Sequence, residues 1–245
     1  MHGPAFWDRL PEQAPSGRHG CCRWSSRRKS ARASCSSPLS KWRADAAWWA
    51  ACGLANAPIW LIGDPEADRL LTEDDNALLI AMILDQQVPM EKAFTGPLVI
   101  AQRMEGRLDV AAIAAMPEEQ FIAVCAQRPA IHRFPAAMAK RIQQVCRVLA
   151  DDYDGQASNV WRDAATGEEL RQALAALPGF GNEKAAIFTA VLGKRRGIQP
   201  PGWREAAGGF GEEGSYRSVA DIVDADSLAR VRETKRAAKA AKKAG

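Results

Sequence analysis

Between Ala77 and Leu84 the apolar positions are almost continuous (Ala77, Leu78, Ile80, Ala81, Ile83, Leu84), and they follow Thr72-Glu73-Asp74-Asp75, a Thr-x-x-acid string of the kind that caps a helix start. A buried helix is predicted there. Further apolar stripes, each bounded by Pro, Gly or a polar cap, predict helices at Met90 to Met104, Asp109 to Ala115, Pro117 to Ala126, Pro135 to Asp152 and Gly167 to Ala176. No run alternates with the period of two that a half-buried strand needs, so the expected class is all-α. From Asp226 to Ala244 only Leu228 and Val231 are large and apolar, which predicts a helix that docks by its first turns and then frays.

Composition divides the chain into three expected parts. Residues 1–53 are rich in Ser, Arg, Gly and Pro without apolar periodicity and read as a basic, disordered extension; 54–230 form a helical domain; 231–245 form a basic tail. Charge follows the same division: +6 for residues 1–53, −8 for 54–229 and +6 for 230–245. An acidic middle can bind a polyanion only through a focused patch and backbone donors. Both basic ends are open to two readings, nucleic-acid contact or plain solvation.

The apolar run ending at Leu84 is closed off by Asp85 and Gln86, too short for the roughly 20 residues of a membrane span. The first residues contain no continuous apolar segment of a secretory signal, so the expected compartment is the cytoplasm, in association with the nucleoid. Six cysteines without a repeated short spacing imply neither a disulfide framework nor a zinc site, and no metal or other cofactor is expected.

The most informative string is Leu177-Pro178-Gly179-Phe180-Gly181-Asn182-Glu183-Lys184-Ala185, between one helical pattern ending at Leu177 and another from Asn182 to Lys194. Helix, tight turn, helix is the reading. Glycines at 179 and 181 permit positive φ and close approach, so N–H groups of the turn and of the next helix can face a phosphate with the helix dipole behind them. The competing reading is an ordinary Gly-terminated helix. Upstream, Asp85-Gln86-Gln87-Val88-Pro89 marks a second polar helix end.

These two strings, in this order, resemble the helix-hairpin-helix superfamily of base-excision DNA glycosylases, over residues 56–230. The resemblance implies an all-α, two-lobed fold with the substrate cleft between the lobes, a monomer, and double-stranded DNA carrying a damaged or mispaired base as partner. Gln87 matches the residue that fills the gap left by a flipped nucleotide. Gly179, Phe180, Gly181, Asn182 and Lys184 match the DNA-binding hairpin, and the implied function is that of a monofunctional N-glycosylase.

The chain departs from the family pattern at the chemistry. Counting on from Glu183 to the family's catalytic aspartate lands in Gln199-Pro200-Pro201-Gly202-Trp203, a matching Gly/Pro loop without a carboxylate. Glu205 is the candidate replacement, with Asp221 further on, and Trp203 is the candidate wall of a base pocket. Glu183 stands where lyase members carry lysine, so no Schiff base is expected. No Cys follows Cys146, so no iron–sulfur cluster is expected. A DNA-binding protein without catalysis is the alternative. His132, in Ile131-His132-Arg133-Phe134, is expected in a surface loop, with contact to DNA as the other reading, and Lys194-Arg195-Arg196 is read either as charge that suits the negative end of the helix dipole or as a solvated cap.

Overall fold

A computed structural model describes residues 59–244 of the chain, all within one compact unit. The expectations for residues 1–53 lie outside the described residues. Eleven α-helices and two short 3-10 turns make up the described part, with no strand among them. They are α1 (Pro65–Glu73), α2 (Asp75–Leu84), α3 (Met90–Arg103), α4 (Val110–Ala115), α5 (Glu118–Ala126), α6 (Pro135–Asp152), α7 (Ser158–Trp161), α8 (Gly167–Ala175), α9 (Asn182–Arg195), α10 (Trp203–Ala207) and α11 (Ala225–Ala244).

Helix α2 is the hub. Every residue from Asn76 to Leu84 is buried, which is why its sequence is apolar on all sides rather than striped. Helix α3 packs on α1 and α2; α4 and α5 pack on α6, which also touches α2; α8 and α10 pack on α9. Leu78, Ile80, Phe94, Phe121, Ile142 and Phe188 are fully buried in one continuous core. Trp161 meets Phe188 edge-on at 5.6 Å.

Most helix bounds match the sequence expectation within two residues. The start of α2 differs. Asp74 is its cap, accepting from the Asn76 amide at 2.8 Å, while Thr72 belongs to the end of α1, where its hydroxyl donates to the Asp68 carbonyl. Helix α1 begins at Pro65 behind the Asp64 cap, a Pro-at-N1 signal the apolar pattern alone does not carry. Helix α11 runs from Ala225 to Ala244 and docks by its first turns, where Leu228 and Val231 are buried.

Arg196 is another correction, because it is not a solvated cap. Its side chain is 1% exposed, it donates to the Leu71 and Thr72 carbonyls at 2.7 and 2.5 Å, and it pairs with Asp75 at 3.0 Å. The end of α9 is thereby tied to the α1–α2 junction.

Candidate nucleic-acid interface

Helix α8 gives way at Leu177-Pro178-Gly179-Phe180-Gly181 to α9. Gly179 has φ +82°, a left-handed conformation strained for any L side chain, and its outer space backs onto the Arg141 stem. Phe180 turns inward and is buried against Phe188, ring centres 6.0 Å apart. The hairpin is thus anchored by an apolar residue between two exposed glycines.

Gly181 is different from Gly179. Its backbone is extended (φ −96°, ψ 172°), which any residue adopts, and no described atom lies within 4 Å of where a Cβ would stand. Neither backbone nor internal packing requires glycine there; what it leaves is room on the outside. No side chain caps α9, and among the described residues no acceptor meets the amides of Gly181, Asn182, Glu183 or Lys184. Four amide donors at the positive end of a 14-residue helix are therefore without an acceptor among the described residues.

The Gln segment comes to this same place from the end of α2. Gln87 has φ +54°, uncommon for a residue with a side chain, and is exposed with no side-chain hydrogen bond among the described residues. Its neighbour does the anchoring. The Gln86 amide nitrogen donates to the Ile83 carbonyl at 2.8 Å, and its oxygen accepts from Arg141 at 2.8 Å. His132 is buried, 2% exposed, rather than in a surface loop. Its Nδ1 accepts from the Phe134 amide, which can only donate, so Nε2 carries the proton and donates to the Gln86 carbonyl at 2.7 Å.

Lys184 joins the two segments across 101 residues of sequence by donating to the Ile83 carbonyl at 3.1 Å. The Gln segment and the hairpin are therefore brought together by Lys184, which reaches Ile83, and by Arg141, which reaches Gln86 and backs Gly179 and which sequence reasoning missed, while His132 holds the Gln86 carbonyl. Arg141 sits in the middle of α6 without any motif, and only its position facing the hairpin gives it meaning.

Burial pulls the Lys184 ammonium down to about 8; the nearby Asp85 carboxylate favours its charge and Arg141 disfavours it. Lys184 consequently loses its charge between pH 7 and 9. For the DNA binding proposed below, duplex affinity is expected to fall about fivefold over that range, roughly 1 kcal/mol for one charge-assisted contact, and Lys184→Met is expected to flatten the profile. Stability moves the other way. The folded pKa lies below the unfolded one, so between about 8 and 10.5 the unfolded chain binds more protons and this group's contribution to stability rises with pH. Anisotropy and thermal melts on the same samples separate the two.

Trp203 and Glu205 stand elsewhere. Trp203 is buried against Gly193, 11 residues up α9 from Asn182, about 16 Å along the axis at 1.5 Å per residue. Arg204 covers its ring, the guanidinium carbon 4.5 Å from the centre, and no face is left for a base. What the tryptophan edge does reach is a separate cavity of about 510 Å³, lined also by Lys194, Arg195, Tyr216 and Arg230. Glu205 is exposed on α10, and its carboxylate makes no hydrogen bond among the described residues. Asp221 is fully engaged: one oxygen accepts from Lys194 at 2.6 Å and from Ser215, the other from the Arg217 and Ser218 amides. Two carboxylates bear on the hairpin: Glu183 in the first turn of α9 itself, and Asp85 at the end of α2, whose charge acts on Lys184 and which sequence reasoning passed over as a helix end.

Cys125 and Cys146 are buried free thiols, pushed up to about 12 by desolvation and so without nucleophilic character at neutral pH. Compared with known proteins, the chain matches no family model, no curated protein and no solved structure.

Proposed function

We propose that this chain is a base-excision-type DNA repair protein that grips one strand of a duplex on the α8–α9 hairpin and tests the base stack with Gln87. One observation carries the reading: an exposed glutamine held in a left-handed conformation beside an uncapped helix start with open space at Gly181. The amides of residues 181–184 supply donors for a backbone phosphate, with Lys184 adding charge. Gln87, unbonded, can enter a duplex from which a nucleotide has swung out. A single copy supplies all these groups.

Removal of the base is the activity the resemblance implies. Water adds at C1′, and the base leaves with the electron pair of the N-glycosidic bond and takes up a proton. An anion beside the sugar lowers the barrier as positive charge develops there. We assign that anion to Asp85, whose charge acts on the hairpin's Lys184, in preference to Glu205, which stands on α10 beside Trp203. Recognition without catalysis is the second reading, favoured by the charge interaction between Asp85 and Lys184.

Single-turnover assays on duplexes carrying uracil, alkylated purines, oxidised guanine or mismatches test the choice. Base release that is lost in Asp85→Asn and kept in Glu205→Gln is the expected result. Release lost in Glu205→Gln and kept in Asp85→Asn overturns the assignment. Absence of release, with duplex binding intact, leaves the recognition reading.

A further inference from the structure

The body of the chain is acidic, −8 over residues 54–229, so a hairpin with one lysine needs charge from elsewhere to hold a polyanion. Helix α11 provides an unusual distribution. Arg232, Lys235, Arg236 and Lys239 recur at i, i+3, i+4 and i+7, an arc of about 100° at 100° per residue, and the sequence continues the spacing with Lys242 and Lys243. The opposite arc holds Glu233, Thr234, Ala237, Ala238, Ala240 and Ala241. Leu228, one of the helix's two buried apolar anchors, lies within the cationic arc, and Val231, the other, lies about 40° outside its edge, so the row stands beside the docked stripe and leaves the body with it.

The row begins next to the site. Arg232 pairs with Glu91, its Nε donating at 2.9 Å, and Glu91 stands in the first turn of α3, four residues after Gln87. Burial opposes the Glu91 charge, yet the Arg232 pair outweighs it and holds the carboxyl below its ordinary value. Beyond this pair the helix is exposed, and no carboxylate pairs with Arg236 or Lys239 among the described residues. Like charges at i, i+3 and i, i+4 each cost a helix about 0.2–0.5 kcal/mol, a repulsion that an external polyanion removes.

We infer that the cationic face of α11 is a second DNA contact, tracking the phosphate backbone of the duplex that the hairpin and Gln87 engage; this rests on the function proposed above. From Arg232 to Lys243 the helix advances about 16 Å, a reach comparable to half of a duplex turn of about 34 Å. Small side chains on the opposite face exclude insertion into a lipid surface, which needs large apolar residues there.

Salt dependence of duplex binding by the full chain tests the inference. Each neutralised phosphate contributes about 0.9 to the slope of log K against log salt, so Arg236→Ala/Lys239→Ala is expected to flatten the slope by about 2. The charge-preserving pair Arg236→Lys/Lys239→Arg is expected to retain it. A slope unchanged in the alanine variant, while Gly181→Pro weakens binding, overturns the second contact and leaves the proposed function standing. A charge-preserving variant that behaves like the alanine one also overturns it. No duplex binding by the unaltered chain at low salt removes both. Vesicles containing phosphatidylserine that bind the unaltered chain and not the alanine variant, with the duplex slope unchanged, make the partner a lipid surface instead.

Discussion

Gly167→Ala and Gly193→Ala each lower the melting temperature by about 10 °C, the expected consequence of a loss of about 3 kcal/mol in a domain of this size. Intrinsic propensity argues the opposite sign, because both glycines lie in helices at ordinary φ and alanine in such positions is favoured by up to about 1 kcal/mol. Packing decides. A Cβ at 167 would stand 2.3 Å from the Trp203 Cα and 2.5 Å from the Gly202 carbonyl carbon, backbone atoms that cannot swing aside. A Cβ at 193 would meet the Trp203 ring at 2.3 Å, and Arg204 occupies the other ring face. Trp203 is thus clamped between α8 and α9 as a structural residue. Thermal unfolding followed by circular dichroism checks this; an unchanged or higher melting temperature in both variants would free the ring to act as a pocket wall.

Gly181→Pro is expected to weaken duplex binding ten- to a hundredfold, equally on intact and damaged DNA. Proline removes one amide donor and places a ring where a phosphate would sit; a hydrogen bond to a charged acceptor contributes about 1.5–3 kcal/mol. The fold has little at stake. Residue 181 is already extended with φ −96°, no described acceptor receives its N–H, and no described atom occupies the space of its side chain. Parallel melts and anisotropy titrations are the check. A variant that binds normally would show that the helix start is solvated and nothing more.

Much of this architecture is legible along the chain because helices announce themselves locally: Pro135 opens α6 and Thr166 caps α8, and the predicted bounds hold. Helix α1 escaped because its signal, Asp64 before Pro65, lies in a segment with few large apolar residues. The hairpin was legible for a different reason, since Gly179 must be glycine where φ is positive. Its partnership with Gln87 could be reached only by resemblance; the contacts that make it, Arg141 to Gln86 and Lys184 to Ile83, span 55 and 101 residues. Trp203 misled because an aromatic residue after a Gly/Pro loop carries no mark of the two glycines that enclose it. Asp85 was hidden in plain helix-end chemistry, and its nearness to Lys184 is a property of the folded chain alone.

The measurement that goes to the centre of the account is a titration of the full chain against a duplex with one abasic-site analogue and a fluorescent adenine analogue opposite it, beside an intact duplex, at low salt. Tighter binding to the abasic duplex, with unstacking of the reporter that Gln87→Ala abolishes and Gly181→Pro only weakens, is the expected result. Equal binding to both duplexes, or none to either, with Gln87→Ala behaving as the unaltered chain, would contradict it.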